Sequence, residues 1–246
     1  MVGRRHYGRW AVLGLLAAVA LALVFFFVLS PLPDLTPWRS GPPGKPWAAA
    51  ARQMEVWEKA GIKRALRFSY VPLEQVSDHL LVAILVGEDI NFFHHNGVDF
   101  SAWPEAFQQW IEGRRLRGAS TITQQLAKNL FLSRKRSLAR KLAEVRLAWH
   151  LEKKLGKRRI LELYVNIAEF GPGIFGAEAA SQAYFGCAAR DLTPAQAAAL
   201  AATIPAPTRD NPKTNSARFR ARKQVIAERA AHASWLYTLV REAQRR

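Results

Sequence analysis

Cysteine is nearly absent: Cys187 is the only one in 246 residues. One thiol excludes a disulfide framework and any structural zinc site built on paired cysteines. Acidic residues are scarce too, 19 Asp and Glu against 36 Lys and Arg, which gives a formal charge of +17. A chain so basic suits an anionic partner: nucleic acid, a membrane surface or a phosphorylated substrate. There is no His-Glu-x-x-His pattern and no Asp-x-Asp pair, so neither zinc hydrolysis nor the common nucleotide-sugar metal site is signalled. Apolar residues are not scarce. At 50% of the chain, with 8 Trp and 13 Phe, they exclude global disorder and supply a core of ordinary domain size.

Trp10 to Leu29 is an apolar run of 20 residues without a single charge. As a helix it spans about 30 Å, the thickness of a bilayer's hydrocarbon core. Arg4, Arg5 and Arg9 precede it, which places residues 1–9 in the cytoplasm and the rest outside. Ala18-Val19-Ala20 resembles a cleavage site, but the apolar run continues past it, so an uncleaved signal anchor over 10–30 is expected. Residues 31–47 hold six of the 13 prolines and read as an extended spacer, with Trp38 and Trp47 placed for the membrane interface. From 48 to 246 the pattern is largely helical, without a repeat or a second linker, and predicts one domain.

Leu81, Leu85 and Glu88 fall at i, i+4 and i+7, one helical face. Either the helix ends before Glu88, which then points to water, or a carboxylate is placed where a core residue belongs. Spacing leaves both open. His94-His95 follows, but adjacent histidines point in different directions.

The stretch Gly118 to Asn129 has two faces. Ile122, Leu126 and Leu130 share one; Ser120, Gln124 and Lys128 share another, roughly 200° away. It reads as an ordinary capped amphipathic helix or as one that presents a hydroxyl, an amide and an ammonium in a row. Around it, residues 111–160 carry 15 Lys and Arg and only Glu112, Glu144 and Glu152 as acids. Leu138, Leu142, Val145 and Trp149 read as a packing seam, with Arg136, Arg140 and Glu144 on a neighbouring face. So much positive charge suits gripping a pyrophosphate, directly or through a bridging divalent cation. Phe100, Trp103, Phe107 and Trp110 form an aromatic stripe that could face core or lipid. Thr193-Pro194-Ala195-Gln196 is a capping box that opens an Ala-rich helix, and the basic tail after Lys213 reads as a solvated or membrane-facing helix.

These residues together resemble the bacterial peptidoglycan glycosyltransferases. Glu88 to Gly97 is similar to the family's first motif, E-D-x-x-F-x-x-H-x-G. Gly118 to Asn129 is similar to the second, G-x-S-T-I-x-Q-Q-L-x-K-N, and Arg140 to Glu144 to the third, R-K-x-x-E. Lys157 to Asn166 and Gly176 to Gly186 resemble the fourth and fifth, read here as mainly structural. The size points to the monofunctional biosynthetic transglycosylase branch.

The resemblance implies a mainly α, lysozyme-like glycosyltransferase domain behind one N-terminal transmembrane helix, held at the inner membrane with its catalytic domain on the periplasmic side. It implies polymerisation of lipid II into β-1,4 glycan strands with release of undecaprenyl pyrophosphate. Glu88 and Glu144 would be catalytic, Glu88 as general base and Glu144 as organiser of the donor site. Ser120, Gln124, Gln125, Lys128, Arg136 and Arg140 would bind the donor. No organic cofactor is implied; Mg²⁺ or Mn²⁺ at the pyrophosphate is. Partners would be lipid II, the growing strand, the membrane and cell-wall synthesis or division proteins, but no nucleic acid. A lytic enzyme would use one prominent glutamate too, yet has no need of the basic cluster. A non-enzymatic membrane or nucleic-acid binder would explain the charge but not the ordered motifs.

Overall fold

The computed structural model describes residues 10, 12–19, 21, 25–29, 31–42, 46–102, 120–133 and 137–245. The chain divides into two units, Met1–Asp34 and Leu35–Arg246. In the first, the described residues are largely helical, and Trp10, Leu13, Leu15 and Leu16 are exposed. No helix among the described residues is long and apolar enough to cross a membrane. The anchor expected over 10–30 lies partly outside the described residues, as do residues 1–9.

The second unit is mainly helical. Its helices are α1 (Ala48–Lys59), α2 (Asp78–Glu88), α3 (Ile122–Phe131), α4 (Leu138–Ile167), α5 (Ala177–Phe185), α6 (Pro194–Thr203), α7 (Ala217–Ala231) and α8 (Ser234–Arg245). Three short strands, β1 (Arg67–Phe68), β2 (Glu169–Gly171) and β3 (Ile174–Phe175), form a sheet in the order β1-β3-β2. β3 pairs parallel with β1 and antiparallel with β2.

The core is organised around α2. Leu80 to Val86 are all buried, so this helix is apolar on every side and packs against α6, α7 and α8. The alanines of α6, buried from Ala197 to Ala202, permit that close approach. Its capping box is present as the sequence predicts, with Thr193 and Gln196 bonded reciprocally. α3 packs on α4, the most extensive helix-to-helix contact among the described residues. The α4 run is broken at Gly156, whose φ of 73° and ψ of 167° are not helical.

The fourth-motif residues build a buried joint. The Glu162 carboxylate accepts from the Tyr70 hydroxyl at 2.7 Å, the Leu73 N–H at 3.1 Å and the Arg159 guanidinium. Burial alone would raise its pKa, but these donors outweigh it and hold the carboxyl below its ordinary value. Asn166 pairs with both the N–H and the carbonyl of Val71, at 3.0 and 2.8 Å. Ile160, Leu163, Tyr164 and Ile167 are fully buried, as their spacing predicts.

Two expectations are corrected here. Residues 31–47 do not form a detached spacer throughout. Leu35 and Trp47 are buried, Trp47 sets its ring edge-on to Phe68 and Phe175, and Trp38 does the same to Phe131. Arg159 donates to the carbonyls of Trp38 at 2.8 Å and Gly41 at 2.6 Å. Apolar side chains outweigh the prolines' preference for an extended chain. The seam at Leu138, Leu142, Val145 and Trp149 is also not inward: Leu138 is 86% exposed and Leu142 and Trp149 are exposed too. The buried side of that turn is Glu144, Leu147, Ala148 and Leu151. Phe100 is exposed, whereas Trp103, Phe107 and Trp110 lie outside the described residues.

Candidate active site

Glu88 is the last residue of α2, and it is not in open water: its side chain is 10% exposed. Gly87 makes room for α7 there. A Cβ at position 87 would sit 3.1 Å from Ile226 Cδ1. Arg222, on the same face of α7 as Ile226, donates one nitrogen to both the Gly87 carbonyl at 2.9 Å and Glu88 Oε1 at 2.6 Å. The other oxygen, Oε2, accepts from Gln125 Nε2 at 2.8 Å. Gln125 is itself oriented by the Tyr164 hydroxyl, which donates to its Oε1 at 2.9 Å. Burial raises the Glu88 pKa, opposed by the Arg222 charge, the Gln125 and Arg222 hydrogen bonds and the charge of Lys128. Burial also pushes the Tyr164 phenol well above its ordinary value, so it remains a donor.

The neighbouring Asp89 serves structure. Its carboxylate accepts from His95 Nε2 at 3.0 Å and from the Ile122 N–H at 2.8 Å, joining the end of α2 to the start of α3. His95 Nδ1 accepts from the Gly97 N–H at 3.1 Å, which leaves the ring proton on Nε2, toward Asp89. Gly97 has a φ of 87° and lies so close to the Ala148 backbone that a Cβ would come within 3.1 Å of it. The first motif therefore spends Glu88 on the site and Asp89, His95 and Gly97 on holding three helices around it.

Gln125 also lines a cleft of about 570 Å³ between α1, α3, α4 and the segment after α6. Its polar wall includes Ser120, Lys128, Arg140, Lys141 and Glu144, with Arg52 contributed by α1. Glu144 is buried, and its two oxygens accept from Arg140 Nη1 at 2.9 Å and Lys141 Nζ at 2.6 Å. Lys141 donates in addition to Ser120 Oγ at 3.0 Å. Burial lowers the Lys128 pKa, with Glu144 the main opposing charge. Among the described residues its ammonium has no salt-bridge partner.

Of the residues the sequence singles out, the structure brings Ser120, Gln125, Lys128, Arg140 and Glu144 to one cleft and joins Glu88 to it through Gln125. Gln124 is corrected. It is buried, its amide oxygen accepts from the Thr121 N–H at 3.1 Å, and Thr121 Oγ1 caps its own N–H. The helix begins at Ile122, so Ser120 precedes it, and the polar row on α3 is Gln125, Lys128 and Asn129. Arg136 lies outside the described residues. The basic tail forms a helix exposed over most of its length, as expected, but Arg222 turns toward Glu88. Its sequence signal was present: Arg222 falls between the buried apolar positions Phe219 and Ile226 at i+3 and i+7. Tyr164 and Lys141 were legible only as a packing residue and as part of a motif.

Among the described residues the side chains alone form no cage for a divalent ion. Both Glu144 oxygens already accept from a cation, and among the described residues no three His, Cys, Asp or Glu converge.

A family model described as Transglycosylase matches residues 55–231, a span that contains Glu88, Gln125, Glu144 and Arg222. Proteins called biosynthetic peptidoglycan transglycosylase are similar over most of their length. One from Nitrosospira multiformis is 43% identical over 74% of this chain and 80% of its own. One from Marinomonas sp. is 49% identical over 65% of this chain and 70% of its own. One from Janthinobacterium sp. is 37% identical over 92% of this chain and 95% of its own. With its motifs spread through that span, the chain belongs to the transglycosylase family of peptidoglycan glycosyltransferases.

Proposed function

We propose that the enzyme polymerises lipid II into uncross-linked β-1,4 glycan strands at the outer face of the inner membrane. The observation that carries this reading is a carboxylate with a raised pKa, Glu88, joined by one amide to a cleft lined by Lys128, Arg140 and Lys141. Glu88 takes the proton from the acceptor sugar's 4-hydroxyl. That oxygen bonds to the donor's anomeric carbon and inverts it, and the carbon–oxygen bond to pyrophosphate breaks with its electron pair on the leaving group. Undecaprenyl pyrophosphate already leaves well, so cations that stabilise its developing charge matter more than a strong acid. Lys128, Arg140 and Lys141 provide that charge, with Arg136 expected beside them, and Ser120 and Gln125 orient the donor. Glu144 holds Arg140 and Lys141 in place. These cations meet the pyrophosphate directly.

The uncharged run from Trp10 to Leu29 and the exposure of Leu13, Leu15 and Leu16 support a single-pass anchor over 10–30. The lack of Ser-x-x-Lys and Lys-Thr-Gly motifs supports an enzyme without transpeptidase activity. The test supplies purified lipid II, digests the product with a muramidase and separates the fragments by mass. Uncross-linked disaccharide-peptides from a polymer are expected. Absence of polymer would refute the activity, and peptide-bridged dimers would refute its monofunctional character.

A further inference from the structure

α1 begins before the span that matches the family, yet it supplies part of the cleft wall through Ala49 and Arg52. Arg52 Nη1 donates to the Leu132 carbonyl at 2.6 Å, across 80 residues of sequence. Leu132 is the C-cap of α3; its N–H bonds the carbonyl of Lys128, and Ser133 after it lines the cleft. The connection that starts there leads to Ser137, the N-cap of α4, and so to Arg140, Lys141 and Glu144. Arg52 thus grips the joint between the two helices that carry the cationic wall. The neighbouring Trp38 ring reinforces it, edge-on to Phe131 at 5.9 Å.

We propose that Arg52 is a positioning residue of the pyrophosphate site: by holding the Leu132 carbonyl it sets the spacing of Lys128 from Arg140 and Lys141 and adds a guanidinium to the same wall. The inference rests on reading that wall as the pyrophosphate site. It follows from chemistry that a point-charge clamp on a diphosphate depends on the distance between its charges. A guanidinium suits the bracing role because it carries a lasting charge and donates to the Leu132 carbonyl, and a lysine ammonium keeps both features. Through Arg52 the segment ahead of the matched span becomes a working part of the site.

The experiment compares full-length wild type with Arg52→Ala, Arg52→Gln and Arg52→Lys, measuring KM and kcat on lipid II and binding of inorganic pyrophosphate by calorimetry. Arg52→Ala is expected to raise KM and weaken pyrophosphate binding by about tenfold, the scale of one charge-assisted contact. kcat should fall as well, because the same cations stabilise the charge that develops on the leaving group, and Arg52→Lys should recover most of both losses. If Arg52→Ala fails to fold, Arg52→Gln takes its place in the comparison. Unchanged KM and pyrophosphate affinity in the folded variant, or a lysine variant as impaired as the neutral ones, overturns the proposal. A wild type that binds pyrophosphate but forms no polymer would overturn the enzymatic reading instead, while the binding comparison still decides the role of Arg52.

Discussion

A single nitrogen of Arg222 bridges the Glu88 carboxylate and the backbone carbonyl one residue before it, so α7 grips the end of α2 and its terminal charge together. The pair is made by residues 134 positions apart, brought within reach by the packing of α7 on α2, where Ile226 lies against Gly87. Placement of this carboxylate and the largest influence favouring its ionised form consequently come from the same side chain.

Replacing Arg222 with alanine removes the largest influence that lowers the Glu88 pKa, while burial continues to raise it. The carboxyl should then ionise at higher pH than in the wild type. The acidic limb of the kcat/KM profile is expected to move upward in pH, and Arg222→Lys should move it less. An unshifted limb in the alanine variant would separate Arg222 from the base.

Glu88→Gln should reduce polymerisation by about 10²–10⁴-fold, the usual contribution of general-base help. It carries a stability signature too. A raised folded pKa means the native state binds a proton more tightly than the unfolded chain, so this contribution is fully present below the ordinary value of 4.5 and is lost as pH rises through the folded pKa. Denaturation of both proteins between about pH 4 and pH 8 checks this. The stability of wild type relative to Glu88→Gln should fall as pH increases.

Lys128→Ala should impair donor turnover and weaken a phosphoglycolipid inhibitor that resembles the donor, both by the ~1.5–3 kcal/mol typical of charged contacts. Arg136→Ala is expected to behave alike. Parallel losses in the two measurements would place both residues at the phosphates; an unaltered inhibitor affinity would move the phosphate site elsewhere.

Gln124 and Gln125 are adjacent and should separate cleanly. Gln124→Ala removes the reciprocal partner of Thr121 and should cost about 0.5–2 kcal/mol of stability, with little change in KM. Gln125→Ala should do the opposite, lowering activity more than the unfolding midpoint. Chemical denaturation beside steady-state kinetics distinguishes them.

Removal of residues 1–30 should leave activity on detergent-dispersed lipid II and reduce it on substrate in liposomes, because an anchor raises the effective concentration at the bilayer. Equal activity of the two forms in liposomes would reduce the segment to an address.

Spacing left Glu88 open between water and the core, and Gln125 and Glu144 stood out only through their places in the motifs; the structure sets Glu88 at the end of α2, 10% exposed. Gln124 was misplaced since helical spacing says which residues share a face but not where the helix begins; it begins at Ile122. The seam from Leu138 to Trp149 failed for a related reason. Periodicity marks an apolar stripe, and only tertiary packing decides that Leu147 and Leu151 turn inward while Leu138 turns out. The docking of Leu35 and Trp38 was hidden because proline content describes the backbone, whereas the outcome depended on a distant Arg159.

Tyr164 fixes the direction of the Gln125 amide, so both oxygens of Glu88 accept from donors, Gln125 and Arg222, among the described residues. A carboxylate so surrounded can pick up a proton, because burial favours the neutral form, but once neutral it offers its new O–H to neighbours that only donate. Polymerisation demands that the base be emptied once for every sugar joined. On the proposed mechanism, the donors around Glu88 favour release of that proton and so the return of the carboxylate to its charged form.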